Sequence, residues 1–158
     1  MARIGVIADT HDLLRPEAIA ALKGVEHILH AGDICSAEIL AELGKIAPVT
    51  AVRGNNDKGA WAKRIPQTDV FTIGRHSIYL LHDLKELDLD PAAAGFAAVI
   101  TGHSHKPKIE RREGVLFLNP GSAGPRRFKL PVTLAMLDVE RDGIHAELHE
   151  LVPTPSPR

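Results

Sequence analysis

Residues 3–33 read RIGVIADTHDLLRPEAIAALKGVEHILHAGD. The apolar, β-branched run Arg3 to Ala8 stops at Asp9-Thr10-His11-Asp12 and gives way to an alanine-rich stretch opened by Arg15-Pro16-Glu17. That order reads as strand, loop, helix. Pro16 suits a first helical turn, Glu17 favours its positive end, and Gly24 stops it. Glu26 to His30 then returns as a short strand that ends in Gly32-Asp33. Two strands separated by one helix predict a βαβ unit and a parallel sheet.

Downstream the same grammar repeats once. Ser36 is an expected N-cap for a helix over Ala37 to Lys45, and Pro48 to Arg53 forms a third strand ending in Gly54-Asn55-Asn56-Asp57. Past Trp61 the pattern changes. Asp69 to Ile73 and Ser77 to His82 flank Gly74-Arg75-His76 as a hairpin, and Pro91 to Gly95 reads as a short helix capped by Asp90. The run Phe96 to Ile100 is a buried strand. Lys108 to Arg111, Val115 to Leu118, Val132 to Asp138 and Ile144 to Leu151 follow as short strands divided by turn residues. The expected class is mixed α/β with two sheets.

A chain of 158 residues with 44% hydrophobic and 25% charged residues fits one domain, expected over 1–151. The proline-rich end, 152–158, has nothing to bury and is expected to be a disordered tail. A formal net charge of −1 disfavours a protein built to neutralise nucleic-acid phosphates, so there is no strong nucleic-acid signal. No apolar run approaches the roughly 20 residues of a membrane span. The opening residues carry no basic leader, and the single Cys35 forms no internal disulfide, so a cytoplasmic location is expected and no membrane partner.

Histidine is the abundant residue, at nine, and several of the nine fall just after apolar strands. Asp9 and His11 follow strand one, Asp33 strand two, Asn55 strand three, His82 the hairpin, and His103 and His105 the strand ending at Ile100. Ligands of open α/β sheets bind outside the carboxyl ends of strands, so these seven residues can meet there. Two carboxylates, one amide oxygen and four imidazoles are borderline donors for Mn, Fe, Ni or Zn. Seven donors exceed one tetrahedral site and match two ions sharing a carboxylate, the recurring device for phosphoester displacement. His27, His76, His145 and His149 have no such placement, and His30 is either a support for a ligand or a plain strand-end residue.

Taken together, Asp9-x-His11, Gly32-Asp33, Gly54-Asn55-Asn56-Asp57, His82 and Gly102-His103-Ser104-His105 resemble the calcineurin-like metallophosphoesterase superfamily, in order from residue 5 to about 127. The short chain and the Asn119-Pro120-Gly121-Ser122 turn resemble its small single-domain bacterial and archaeal phosphodiesterases. The resemblance implies a four-layer α/β/β/α sandwich with two mixed β-sheets, and two divalent ions, with Mn favoured. It makes Asp9, His11 and His105 ligands of one ion, Asp33 the bridge, and Asn55, His82 and His103 ligands of the other. It implies phosphoester hydrolysis, chiefly of a small phosphodiester, by a metal-bound hydroxide. Two positions depart from the pattern. Asn56 stands where many of these phosphatases carry a histidine; it can contact phosphate but cannot donate a proton as an acid, a contribution worth about 10²–10⁴-fold. Asp83 follows His82 where related small members often have glycine. Arg126 and Arg127 are candidate substrate contacts. Two further readings are an interaction scaffold of the same fold, as in the retromer subunit that resembles this superfamily, and a phosphomonoesterase. A homo-oligomer is compatible with all of them.

Overall fold

The protein is described by a computed structural model over residues 2–152. Strand β1 (Ala2–Ile7) leads through helix α1 (Pro16–Ala21) to β2 (His27–His30), and α2 (Ala37–Gly44) leads to β3 (Val49–Ala51). The hairpin β4 (Thr68–Ile73) and β5 (His76–Leu81) follows, then β6 (Ala98–Ile100), β7 (Lys108–Arg112), β8 (Val115–Asn119), β9 (Val132–Glu140) and β10 (Gly143–Val152). One sheet has the order β10-β9-β1-β2-β3 and the other β4-β5-β6-β8-β7. Both are mixed: β1, β2 and β3 run parallel with β9 antiparallel to β1, while β5, β6 and β8 run parallel between antiparallel β4 and β7.

Side-chain alternation builds the layers. Ile4 and Val6 of β1, Leu29 of β2 and Ala135, Leu137 and Val139 of β9 face Ile78 and Leu80 of β5, Ala98 and Ile100 of β6, and Leu116 and Leu118 of β8. This is the core between the sheets. The alternate residues Ile7, Ile28, Leu134 and Met136 face outward, where Ala18, Leu22, Ile39 and Leu43 of the helices cover them. Gly5 lies on that face, and a Cβ there would collide with Leu22, so only glycine lets α1 lie this close to β1. On the far side, Tyr79, Leu81, Val99 and Val115 are covered by Leu84, Leu87, Leu89, Ala92 and Phe96.

That fourth layer holds no α-helix among the described residues. The expected helix at Pro91 to Gly95 is a single closed turn: Asp90 accepts from the amides of Ala92 and Ala93, and Gly95 ends it at φ +83°. Five residues cannot repay helix nucleation. A 3₁₀ turn at Leu84–Glu86, absent from the sequence reading, does the rest of the covering. Ser36 occupies the N-cap of α2 in extended geometry, but its hydroxyl makes no capping bond and is buried without a partner. Val152 still pairs with Val132, so β10 extends into the first residue of the expected tail; residues 153–158 lie outside those described. No helix among the described residues is long and apolar enough to cross a membrane.

The β7–β8 hairpin turns on two residues, Glu113 at φ 52° and Gly114 at φ 80°, between the paired Arg112 and Val115. Positive φ at both positions is the requirement of a type I′ turn, which favours Asn-Gly. Glu113→Asn is therefore expected to stabilise the fold by about 0.5–1 kcal/mol, raising Tm by about 1–4 °C in calorimetry. An unchanged or lowered Tm would contradict the turn assignment.

Candidate metal centre

The carboxyl ends of the parallel strands of both sheets converge. His82, just after β5, is tied to the first sheet by a 2.7 Å bond from Nδ1 to the carbonyl of Ala31. His103, after β6, donates its backbone amide to Asp9 Oδ2 at 3.0 Å, and the amide of Gly102 bonds the carbonyl of His82 at 2.9 Å. Within the first sheet, the amide of Asp9 bonds Gly32 and that of His11 bonds Asp33, each at 3.0 Å. The loops after β1 and β2 are thus laced together before any side chain is considered.

Two carboxylates stand at the centre. Asp9 has no solvent exposure, and its Oδ1 lies 3.6 Å from His105 Nε2, 3.8 Å from His11 Nε2 and 3.9 Å from His82 Nε2. Asp33 Oδ2 lies 3.6 Å from His11 Nε2 and 3.3 Å from His82 Nε2. His11 and His105 bring their Nε2 atoms within 3.3 Å of each other. Two sets of donor atoms, Asp9 with His11 and His105 and Asp9 with Asp33 and His82, each lie within 4.8 Å. Asn55 Oδ1 is 3.2 Å from His103 Nδ1, and the rings of His82 and His103 meet edge to face at 5.2 Å. All seven candidates from the sequence therefore share one neighbourhood, although Asn55 and His103 form its outer edge.

The protonation pattern fits a cation. The Ala31 carbonyl can only accept, so His82 Nδ1 carries the proton and Nε2 turns a lone pair toward the carboxylates. His82 Nε2 and Asp9 Oδ1 are both buried with no hydrogen-bond partner among the described residues. Lone pairs converging without a donor are repulsive unless a positive charge sits between them. Burial pushes the Asp9 carboxyl up to about 7, with His82 opposing. Burial also acts on Asp33, but the neighbouring His82, 3.3 Å away, and the bonds from Asn56 outweigh it and hold this carboxyl well below its ordinary range. Burial opposes His82 protonation too, yet Asp33 and Asp9 raise its pKa overall. His11 is lowered by burial, and His105 is pushed down to about 4 by burial and Arg127, so both offer neutral nitrogens at neutral pH.

Backbone strain marks the same loops. Asp9, His11, Asp12, Asp33, Cys35, His103 and His105 all have φ between 44° and 74°, the left-handed region that side chains avoid. Such strain costs of order 1–3 kcal/mol per residue and persists where surrounding contacts over-determine the chain. Several of those contacts come from residues outside the seven candidates. The amide of Gly32 donates to His30 Nδ1, which leaves Nε2 to donate to Thr10 Oγ1, and Thr10 donates on to the carbonyl of Ile34. Asp57 accepts from the amides of Cys35 and Gly54. Ser122 donates to the carbonyl of Asp9, and Asn119 to Gly102 and Ser104. The Asn119-Pro120-Gly121-Ser122 turn was the available signal for the last two.

Asn56 bonds the carboxylate of Asp33, and the two arginines have separate surroundings. Asn56 gives its side-chain amide to Asp33 Oδ2 at 2.9 Å and its backbone amide to Oδ1 at 2.8 Å, so it orients that carboxylate. Arg126 donates from its guanidinium to the carbonyls of Leu130 and Val152. The charge of Arg127 does reach Asp9, His11 and His105. Cys35 lies near His11, but burial and Asp57 push its thiol up to about 11, leaving it unreactive as a nucleophile.

Residues 2–142 match the calcineurin-like phosphoesterase superfamily domain, and the chain belongs to that family. A probable metallophosphoesterase of Methanothermobacter thermautotrophicus is 36% identical over 157 residues, covering 92% of this chain and 90% of its own. The solved structure of an archaeal phosphodiesterase superposes with TM-score 0.76 at 26% identity, covering 93% of this chain and 99% of that one. Vps29 of Chaetomium thermophilum superposes with TM-score 0.77 at 18% identity over 95% and 97% of the two chains, a likeness of fold alone.

Two outcomes are expected. His30 stays neutral when folded down to about pH 3, against 6.5 for its ordinary value, because it is fully buried. Its contribution is therefore intact above pH 6.5 and lost as pH falls toward 3, since the unfolded chain takes up the proton first. In urea unfolding with chelator present, the wild type should lose about 3 kcal/mol more than His30→Gln between pH 7 and pH 4. Parallel losses in both proteins would remove His30 from this account. For the orientation of Asp33, Asn56→Ala should weaken divalent-ion affinity by about 10–100-fold in calorimetric titration, and unchanged affinity would show that the amide bonds are dispensable.

Proposed function

We propose that this protein is a metal-dependent phosphodiesterase with a two-ion centre. The observation that carries the reading is that two donor sets adjoin, with Asp33 Oδ2 3.6 Å from His11 Nε2 of one and 3.3 Å from His82 Nε2 of the other. His11 and His105 with Asp9 would hold one ion, Asn55, His82 and His103 the other, and Asp33 would bridge. Two divalent ions there supply Lewis acidity toward phosphoryl oxygens and acidify a water molecule. Manganese, iron, nickel and zinc all suit this donor set.

The chain's own residues divide the remaining work. Asn56 orients Asp33 through two hydrogen bonds, and the carbonyl of Ala31 holds His82 with Nε2 toward the centre. Arg127 adds positive charge on the side of His11 and His105, where an incoming phosphate is anionic. Asn56 has no proton to give a leaving alkoxide. That favours esters whose leaving groups depart as stable anions without an acid. The retained donor atoms favour an enzyme over a scaffold of the same fold.

The test is hydrolysis of bis(p-nitrophenyl) phosphate and p-nitrophenyl phosphate with Mn²⁺, Zn²⁺, Ni²⁺ or Mg²⁺ after chelation. Diester cleavage should require an added ion and exceed monoester cleavage. Asp33→Ala and His103→Ala should each lower kcat by about 10²–10³-fold while circular dichroism stays unchanged. Ion binding without cleavage of either ester would move the assignment to the scaffold reading, and faster monoester cleavage to a phosphomonoesterase.

A further inference from the structure

Next to the candidate centre is a cleft of about 450 Å³ with no role in the reading above. His103 and Asp83 line it, and the same two residues line the smaller hollow, about 220 Å³, that holds Asn55 and His82. The two spaces therefore meet at a proposed metal ligand. The larger volume falls within the roughly 300–1,000 Å³ of small-molecule sites.

The charges on its wall are unevenly neutralised. Lys108 pairs with Glu110 at 3.1 Å, and Glu110 is also held by Arg112 at 2.9 Å. Asp83 is 3.8 Å from His103 Nε2, and its Oδ1 accepts from the backbone amide of Lys85. The ammonium groups of Lys85 and Lys106, both on the cleft wall, have no ion pair among the described residues. Leu84 and the half-buried Phe117, one face of whose ring lies 5.0 Å from the Arg112 guanidinium, add apolar surface to the same wall. A cleft with two uncommitted cations and an apolar wall selects a molecule that is both anionic and ring-bearing.

The geometry points to a leaving-group subsite: the cleft binds the alcohol part of a phosphodiester that carries a flat ring and a second phosphate, as a nucleotide does. This assignment rests on the phosphodiesterase reading for its chemistry but not for its binding. With the scissile phosphate at His103, the ring lies against Phe117 and Leu84, and the second phosphate meets Lys85 and Lys106. The charge-assisted bonds to that phosphate add affinity that a diester ending in a neutral group cannot gain.

The experiment has two arms on the full-length protein. In the first, kcat/KM is compared for thymidylyl-thymidine with and without a terminal phosphate, tested at either end. The wild type should favour one phosphorylated form by about tenfold, K85A/K106A should reduce that ratio to about one, and K85E/K106E should take it below one. In the second arm, Zn²⁺-loaded, ¹⁵N-labelled protein is titrated with adenosine 3′,5′-bisphosphate and adenosine 5′-monophosphate. The bisphosphate should bind about tenfold tighter and shift the amides of Lys85, Lys106 and Phe117, an advantage lost in K85E/K106E. If no diester is cleaved but the bisphosphate binds in the cleft, the subsite stands and the phosphodiesterase reading falls. Equal affinity for the two nucleotides, shifts elsewhere, or a substrate ratio untouched by the lysine variants would overturn the subsite.

Discussion

A carboxylate with no access to water, Asp9, governs how the loops at the sheet ends are arranged. One oxygen accepts from the backbone of His103, across the gap between the sheets, while the other faces three imidazoles and has no donor. A charge buried in this way is tolerated only when opposite charge or donors surround it. Much of the surrounding structure answers that demand: Gly32 holds the Asp9 amide, Ser122 its carbonyl, and Ala31 turns the bare face of His82 inward. The left-handed backbone at Asp9, Asp33, His103 and His105 is the conformational cost of aiming these groups at one point.

The layering was legible because it depends on alternation, which a sequence displays directly. Ile4, Val6 and Leu29 on one face, with Ile7 and Ile28 on the other, are each flanked by turn residues that set the strand ends. The convergence of the metal-binding candidates followed from the same logic, since residues after parallel strands meet at one edge. What stayed hidden was the second set of contacts. Nothing in the composition of Asn56 distinguishes an amide pointed at substrate from one pointed at Asp33. His30 was ambiguous because its partners, Thr10 and Gly32, sit in separate loops and become neighbours only after β1 and β2 pair. The fourth layer was also poorly foreseen, since residues 84–96 cover the sheet through turns and a 3₁₀ segment with no lasting periodicity.

The departures from the superfamily pattern acquire separate physical meanings. Asn56 gives up acid chemistry and becomes an orienting group for the proposed bridge. Asp83 lies between His103 and the amide of Lys85, on the boundary between the two spaces beside the centre. Arg126 and Arg127, adjacent in sequence, serve different ends: one secures the loop before β9 to β10, the other adds charge to the centre.

The placement of β1 between β2 and β9 bears on how the protein comes into being at the ribosome. Ala2 pairs with Val139 and Val6 with Ala135, so the strand that leads to Asp9 waits for more than a hundred further residues before its second neighbour exists. Ser122, which secures the Asp9 carbonyl, also emerges late. Long sequence separation of this kind slows folding and leaves apolar strand edges open meanwhile. The loops that carry Asp9 and its neighbours therefore reach their strained geometry only after β9 has been made.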